Sequence, residues 1–442
     1  MKMKIYTKIY TSMVIAFLAI QVNAQQILTK KEALQIALEN NYGIKIADNN
    51  LKIAEKNKSV LNSGYLPTIT GNAGASYSLD NTEAVFRDGS LTTLNGAESR
   101  RYNASVNLNY TLFDGLGRRY NYQQLKEQYN LSELQARETI ENTILQLFTV
   151  YYNVAQLTEN VSLLNQSLKI SKDRLTRANY QFEYGQNTKL FVLNAEVDVN
   201  NDSINLLNTK QLLENAKRDL YVVLSKNDVP NFTVDTLVNF IITPNKQELI
   251  EKVKANNVTL LQIEKNIHIS DFQLKSNKSG YLPSIGLTGT YGWNENQNNA
   301  SSFLSTSTNT GFTGGVNFTW SLFNGGQTKT KVQNAKINLE TQQLLKQQTE
   351  LEITRDFNNA FEDYQNKLFV LQTQEKNVQT NSNNFNRTEE NYKLGQITSI
   401  EFRQAQINLI NAINDKNASK YDAKLAELQL LQLSGQLLDV EF

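Results

Sequence analysis

The sequence of 442 residues contains no cysteine and a single histidine. Without cysteine, the chain has neither a disulfide framework nor a thiol to carry a lipid at a processed N-terminus. A zinc site and a histidine-assisted nucleophile would also lack their usual residues, and no phosphate-binding glycine motif follows a predicted strand. We therefore expect no catalytic residues, no metal and no cofactor, and we expect that the chain is not an enzyme.

An excess of charge of either sign is also missing, because 44 basic residues face 43 acidic ones. This balance argues against a nucleic-acid partner, which would require a basic surface. Long apolar runs are equally scarce. Beyond the N-terminal segment, no stretch approaches the ~18 apolar residues of a transmembrane helix, so any membrane crossing would have to use strands.

The N-terminal segment has the features of a secretory signal peptide. Three lysines precede an apolar run from Met13 to Ile20, and Val22-Asn23-Ala24 resembles a cleavage site for signal peptidase. We expect residues 1–24 to be removed, which makes Gln25 the first residue of the mature chain.

The rest of the sequence is an internal duplication. Gly64-Tyr65-Leu66-Pro67 recurs 216 positions later as Gly280-Tyr281-Leu282-Pro283, and Leu112-Phe113-Asp114-Gly115 recurs 210 positions later as Leu322-Phe323-Asn324-Gly325. We predict a first structural repeat over residues 25–229, a linker over residues 230–245 and a second repeat over residues 246–442. Each repeat is expected to hold a short helical part, a pair of strands and a long helical hairpin.

The predicted strands alternate between apolar and small polar residues. Val106, Leu108 and Tyr110 alternate with Ser, Asn and Thr, and Val316, Phe318, Trp320 and Leu322 do the same in the second copy. Residues 68–79 and 284–293 show the same period of two. We expect loops between the paired strands, at residues 80–100 and 294–310.

Strands of this pattern fit either a soluble sandwich or a transmembrane barrel. A sandwich needs a second sheet to cover the apolar face, and the sequence offers none. In a barrel, the apolar face meets lipid and the polar face lines the lumen. Four strands leave two open edges, which are not viable in lipid. The chain must therefore share its barrel with copies of itself, and two copies would give eight strands and three would give twelve.

The predicted helices are unusually long. Between Leu116 and Phe182 there is no proline and, after Gly117, no glycine. Apolar residues recur every seven positions from Ile140 to Phe182, and Ser171 interrupts the companion position three residues further on, so the pattern predicts a coiled coil. We expect a return helix from Lys189 to Ser225. The second half is expected to repeat this arrangement, with helices at residues 327–394 and 399–438. The fold class is thus a mixed α+β membrane protein with long antiparallel coiled coils.

These motifs resemble the TolC family of outer-membrane efflux proteins over nearly the whole mature chain. The resemblance rests on the two Gly-Tyr-Leu-Pro copies, the two Leu-Phe-Asp/Asn-Gly junctions, and Tyr392-Lys393-Leu394-Gly395 followed by Glu401-Phe402-Arg403-Gln404. It implies a homotrimer in the lipid of the outer membrane of a Gram-negative bacterium, with a 12-stranded barrel continuous with a helical tunnel in the periplasm. It further implies a passive export duct of a tripartite efflux pump or type I secretion system, with a periplasmic adaptor and an inner-membrane transporter as partners.

The resemblance also implies where the functional residues lie. A pore gate would follow the glycine turn of each hairpin, at Glu401, Gln404, Asn194, Phe191 and Tyr392. A basic residue that helps to close some family members would fall at Ile397, so that link is expected to be absent. Glu401 could equally be an ordinary solvated carboxylate on a helix. Docking of the adaptor is expected at the exposed hairpin turns, which contain Gly185, Gln186, Gly395 and Gln396.

The alternative hypothesis is a periplasmic coiled-coil adaptor or scaffold that never spans a membrane. It explains the helices but leaves the apolar strand faces unexplained. A carboxylate-based glycan hydrolase is a weaker alternative, because it needs two carboxylates in one cleft and the charges here are spread along helix faces.

Overall fold

A computed structural model describes residues 26–226, 232–241 and 245–442. The predicted signal peptide, Pro230 and Pro244 lie outside the described residues. Within these ranges the α-helices are α1 Lys30–Asn40, α2 Tyr42–Asn57, α3 Gly117–Glu183, α4 Lys189–Leu224, α5 Lys246–Asn256, α6 Val258–Lys278, α7 Gln327–Lys393 and α8 Ser399–Leu433. The β-strands in the same ranges are β1 Gln26–Leu28, β2 Thr68–Val85, β3 Leu91–Phe113, β4 Phe232–Val234, β5 Ser284–Gln297 and β6 Thr306–Thr319.

The order of two helices, two strands and two long helices occurs twice along the described chain. The helices α3 and α7 each contain 67 residues, and both begin and end within one residue of the predicted positions. Helix α8 ends at Leu433, earlier than the predicted Leu438. It stops there because Gly435 adopts a left-handed φ of 66° and the amide of Gln436 turns back to the carbonyl of Leu431 at 2.8 Å.

No helix among the described residues is both long enough and apolar enough to cross a membrane.

The long strands form one antiparallel four-stranded sheet in the order β2-β3-β5-β6. The prediction of a loop over residues 80–100 was wrong, because β2 continues to Val85 and β3 begins at Leu91. Thr82 pairs with Leu94 and Val85 with Leu91. Backbone pairing continues there although the side chains no longer alternate between apolar and polar, which is why the pattern failed to mark these residues as strand.

The second predicted loop was also too long at both ends. Strand β5 continues to Gln297 and β6 begins at Thr306, so the connection covers only residues 298–305. At its other end β6 stops at Thr319, which pairs with Ser284, the first residue of β5. Trp320 and Leu322 therefore lie beyond the strand to which the alternation had assigned them.

The chain divides into two compact units. The first contains the described residues up to Ile46, those of Arg137–Asn257 and those of Ile353–Phe442. Its core packs α1, α3, α4 and α8 around the buried aromatic residues Phe148, Tyr151, Tyr152 and Tyr421. Tyr151 joins two segments here, since its hydroxyl donates to the carbonyl of Leu28 at 2.7 Å and accepts from the amide of Asp235 at 3.0 Å.

The second unit contains Ala47–Ala136 and Val258–Glu352, and with them the four-stranded sheet. Its chain turns from β3 into α3 at Gly115, where φ is 68° and a Cβ atom would lie 2.6 Å from the carbonyl oxygen of Ser279. No other residue fits this close approach in a left-handed conformation. Arg118 closes the turn by donating to Asp114 at 2.8 Å through its amide and to the carbonyl of Gly64 at 3.1 Å through its guanidinium.

Candidate functional site at the hairpin tips

Each long helical hairpin ends in the same backbone turn. Gly185 follows α3 with a φ of 71°, and Gly395 follows α7 with a φ of 76°. The amide of Gln186 donates to the carbonyl of Gln181 at 2.7 Å, and that of Gln396 donates to Asn391 at 2.9 Å. This is the Schellman arrangement, in which a glycine in the left-handed region lets the last helical carbonyls find donors. The four residues predicted as the docking tip, Gly185, Gln186, Gly395 and Gln396, are all exposed.

The return helices begin differently in the two hairpins. At α8, the Thr398 hydroxyl accepts from the amide of Glu401 at 3.3 Å, and the Glu401 carboxylate accepts from the amide of Thr398 at 2.8 Å. This is a capping box, which satisfies two free donors at the start of the helix. At α4, Thr188 makes no side-chain cap, and its third helical position is held by Phe191, which cannot return the hydrogen bond.

The capping box decides the ionisation of Glu401. Its carboxylate is exposed, and hydrogen bonds from the backbone amide and then the hydroxyl of Thr398 lower the pKa of Glu401 below its ordinary value. The carboxylate is therefore negatively charged at neutral pH. It is also held against its own helix terminus, so the side chain has a structural role whether or not it faces a pore.

The predicted gate residues fall into two places. Phe191, Asn194 and Gln404 line one cleft of about 470 Å³ between the first turns of α4 and α8, together with Leu190, Val197 and Ile400. Tyr392 lies elsewhere, stacked on Phe402 with ring centres 4.8 Å apart. Its neighbour Arg177 lies over the ring at 5.7 Å. Glu401 is not among the residues that line the cleft.

Ile397, where a basic residue would help to close other family members, packs into an apolar cluster. The cluster contains the buried residues Phe385, Phe402 and Ala405. An aliphatic side chain fits this position. Two other cations, Arg403 and Arg174, form ion pairs nearby.

Arg403 binds the two hairpins together. Its guanidinium, on α8, reaches Asp202 on α4 through both terminal nitrogens at 2.9 and 2.6 Å, and its Nε lies 3.5 Å from Asp198. Arg174 on α3 bonds the other oxygen of Asp198. Burial acts to lower the pKa of Arg403, but the hydrogen bond and the charge of Asp202 outweigh it and raise the pKa. A bidentate arginine–carboxylate pair of this kind is geometrically specific.

Neutral polar residues complete this network, which we call the Arg403 network. The Ser171 hydroxyl donates to Asp202 at 2.5 Å, and the Gln406 amide donates to the carbonyl of Ser167 at 3.1 Å. Ser171, Arg174, Asp202 and Gln406 are all at most 5% exposed. Sequence reasoning missed these contacts. The available signal was Ser171, the polar residue that interrupts the apolar seam of α3.

Among residues 26–226, 232–241 and 245–442, no group of acidic or histidine side chains could hold a metal ion.

The family model described as "Outer membrane efflux protein" matches residues 33–225 and 249–436. The chain is similar to the outer membrane efflux protein BepC of Brucella suis, with 21% identity over 414 residues, which cover 92% of this chain and 85% of BepC. It is 22% identical to the outer membrane protein TolC of Vibrio cholerae over 69% of this chain and 70% of that protein. Among solved structures, the CmeC outer membrane channel of Campylobacter jejuni superposes with a TM-score of 0.77 at 18% identity, covering 92% of this chain and 86% of CmeC.

Proposed function

The chain belongs to the outer membrane efflux protein family, and from this membership we propose that three copies assemble into a passive export duct across the outer membrane. The duct serves an efflux pump or a type I secretion system and carries cargo from the periplasm to the exterior. The alternative of a periplasmic adaptor or scaffold is not supported, because the family match spans both the strands and the helical hairpins.

The observation that carries this proposal is the exposed apolar face of the four-stranded sheet. Ile69 on β2, Tyr291 on β5 and Phe312 on β6 lie on that face with 69%, 59% and 72% of their surfaces exposed. The opposite face is built from Asn, Ser, Thr and Gly. An apolar outer face with a polar inner face is the arrangement of a transmembrane barrel.

The free edges of the sheet explain why one chain is not enough. Among the described strands, β2 and β6 each have a single neighbour, and unpaired backbone groups are too costly to leave in lipid. Pairing β6 of one copy with β2 of the next removes both edges. With three copies, 12 strands close the ring, a number within the known range of bacterial barrels.

We place the gate and the docking surface at the hairpin tips. Phe191, Asn194 and Gln404 share one cleft, and the charge of Glu401 is fixed beside it by the capping box. Tyr392 supports the tip by stacking on Phe402. The exposed turns at Gly185 and Gly395 are where a periplasmic adaptor docks, and the adaptor links the duct to an inner-membrane transporter that supplies the energy.

The assembly can be tested with two substitutions at adjacent positions of β6. Phe312→Lys puts a charge on the apolar face, where a lysine near the middle of the bilayer costs ~2–4 kcal/mol per copy. The control Thr313→Lys puts the same charge on the polar face, opposite Thr290. Outer-membrane extracts in mild detergent are run with and without boiling.

We expect the unaltered chain and Thr313→Lys to migrate as a heat-sensitive species of about three protomers, and Phe312→Lys to lose that species. A monomer that is extracted without detergent would overturn the proposal. So would equal behaviour of the two variants, since it would show that the apolar face does not meet lipid.

A further inference from the structure

The polar face of the sheet is almost free of charge. Over the span in which β3 pairs with β5, from Arg100 to Phe113, the polar-face residues of all four described strands are Asn, Ser, Thr and Gly with one exception. The exception is Arg101. In a lumen built from small neutral side chains, this guanidinium is the only ionisable group that the four described strands provide over that span.

Arg101 lies in the outermost row of the polar face that crosses the whole sheet. The row runs from Ser76 on β2 through Arg101 to Asn296 on β5 and Ser307 on β6. These three row partners are neutral, so none of them supplies a negative charge. Two of them bond each other, since the side-chain amide of Asn296 donates to the Ser307 hydroxyl at 3.3 Å. Beyond the next row, which ends β5 at Gln297 and begins β6 at Thr306, only β2 and β3 continue among the described strands.

The charge of Arg101 is not cancelled within the described residues. It makes no ion pair with any of them and is exposed. Asp80 is the next acidic residue on the same face, and it lies four positions beyond Ser76 on β2, about 13 Å along the strand. At this distance in water, one Debye length or more at ~0.1 M salt, the two charges act on a passing ion largely separately.

The neighbouring Arg100 has a different environment. It points to the apolar face, where its guanidinium lies 5.8 Å from the Tyr77 ring and 3.4 Å from the carboxylate of Glu98. The two adjacent arginines therefore differ in both face and pairing. This difference supplies a matched control on the same strand.

Resting on the proposed function, we propose that Arg101 is the charge-selecting residue of the duct's exit and that the barrel favours anionic cargo. Three copies place three guanidinium groups in one ring. Rings of arginine or lysine favour anions in pores, and a ring in an otherwise neutral lumen has no competing charge at its own level. Arg101 acts through its electrostatic potential and needs no contact with a particular cargo molecule.

The test is ion selectivity in planar lipid bilayers, measured as the reversal potential under a potassium chloride gradient. The unaltered chain is compared with Arg101→Gln, with the charge reversal Arg101→Glu and with the control Arg100→Gln. At about 0.1 M salt, where the Debye length is ~10 Å, we expect Arg101→Gln to lower the chloride-to-potassium permeability ratio by about two- to fourfold. Arg101→Glu should lower it further, and Arg100→Gln should leave it unchanged.

Salt separates this effect from a change of pore shape. At about 1 M salt the Debye length is ~3 Å, and the difference between the unaltered chain and Arg101→Gln should almost vanish. Open channels with the same selectivity in both proteins would overturn the inference while leaving the duct intact, and so would an equal shift in Arg100→Gln. An unaltered chain that never forms channels would overturn the proposed function, and the inference with it.

Discussion

Removing one member of the buried Arg403 network should loosen the hairpin tips. The side chains of Arg403 and Asp202 are only 14% and 7% exposed, so Asp202→Asn leaves a buried guanidinium without its bidentate partner. Breaking a buried ion pair in this way costs about 3–5 kcal/mol. Since each 1.4 kcal/mol is a factor of ten, local opening of the helices around these residues should become at least about a hundredfold more frequent. Arg403→Gln should make opening similarly more frequent, because it leaves the buried carboxylate of Asp202 without its cation.

Hydrogen–deuterium exchange measures this opening directly, in peptides that cover residues 167–174, 198–202 and 399–406. The double variant Asp202→Asn/Arg403→Gln should exchange more slowly than the sum of the two single effects predicts, because it leaves no unpaired charge. Asp363→Asn is the matched control. It breaks the pair with Lys367 at 3.1 Å, whose side chains are 44% and 35% exposed, and such pairs contribute only about 0–1 kcal/mol. Additive single effects, or equal acceleration in the control, would refute the reasoning.

Three further predictions concern single positions. Gly435→Ala should shift the thermal midpoint downward, because φ is 66° and the new Cβ atom would lie 2.4 Å from the carbonyl oxygen of Asn256; an unchanged melting curve would contradict the close packing. Gly395→Val should cost roughly 1–2 kcal/mol for a branched residue in the left-handed region and weaken adaptor pull-down, whereas normal stability and binding would remove the turn from the docking surface. The pKa of Glu401 is lower in the folded chain than in the unfolded chain. The stability that its carboxylate adds to the cap is therefore fully present above the ordinary glutamate pKa of about 4.3, and it is lost as pH falls through the lower folded pKa. Amide exchange at the start of α8, corrected for intrinsic rates, should therefore rise only in acid, and Glu401→Gln should abolish that pH dependence; a dependence that survives the substitution would assign it to another group.

The long helices could be predicted closely because local chemistry decides them. A run of 67 residues without an internal proline or glycine has no local reason to stop, and the glycine turn marks its end. The strands were harder at their outer ends. Glu83 and Glu98 lie in paired strand, yet charged residues in solvent carry no period-two signal. Backbone pairing between neighbouring strands therefore continues past the point at which side-chain alternation stops.

The Arg403 network could not be predicted because its members meet only in the folded chain. Arg403 and Asp202 are 201 positions apart, and no local period relates them. The capping box of Thr398 and Glu401 is different, since its two residues are three positions apart and the pattern is readable directly. The sequence thus predicted Glu401 near the turn, but it assigned no role to Arg403, the cation that joins the hairpins.

The two halves of the chain keep the same turns but differ in the contacts between helices. An offset of 210 positions relates Gly185 to Gly395, and both have the positive φ that a helix end of this type requires. The same offset relates Arg403 to Leu193 and Asp202 to Ala412. The pair that corresponds to Arg403 and Asp202 in the duplicated sequence is therefore Leu193 and Ala412, two apolar residues that cannot form an ion pair. In the proposed ring of three duplicated chains, hairpins would meet at two kinds of junction, one within a protomer and one between protomers. An ionic junction of one kind and an apolar junction of the other would have different free energies of opening, so we predict that the side chains that the two halves do not share decide which junction separates first.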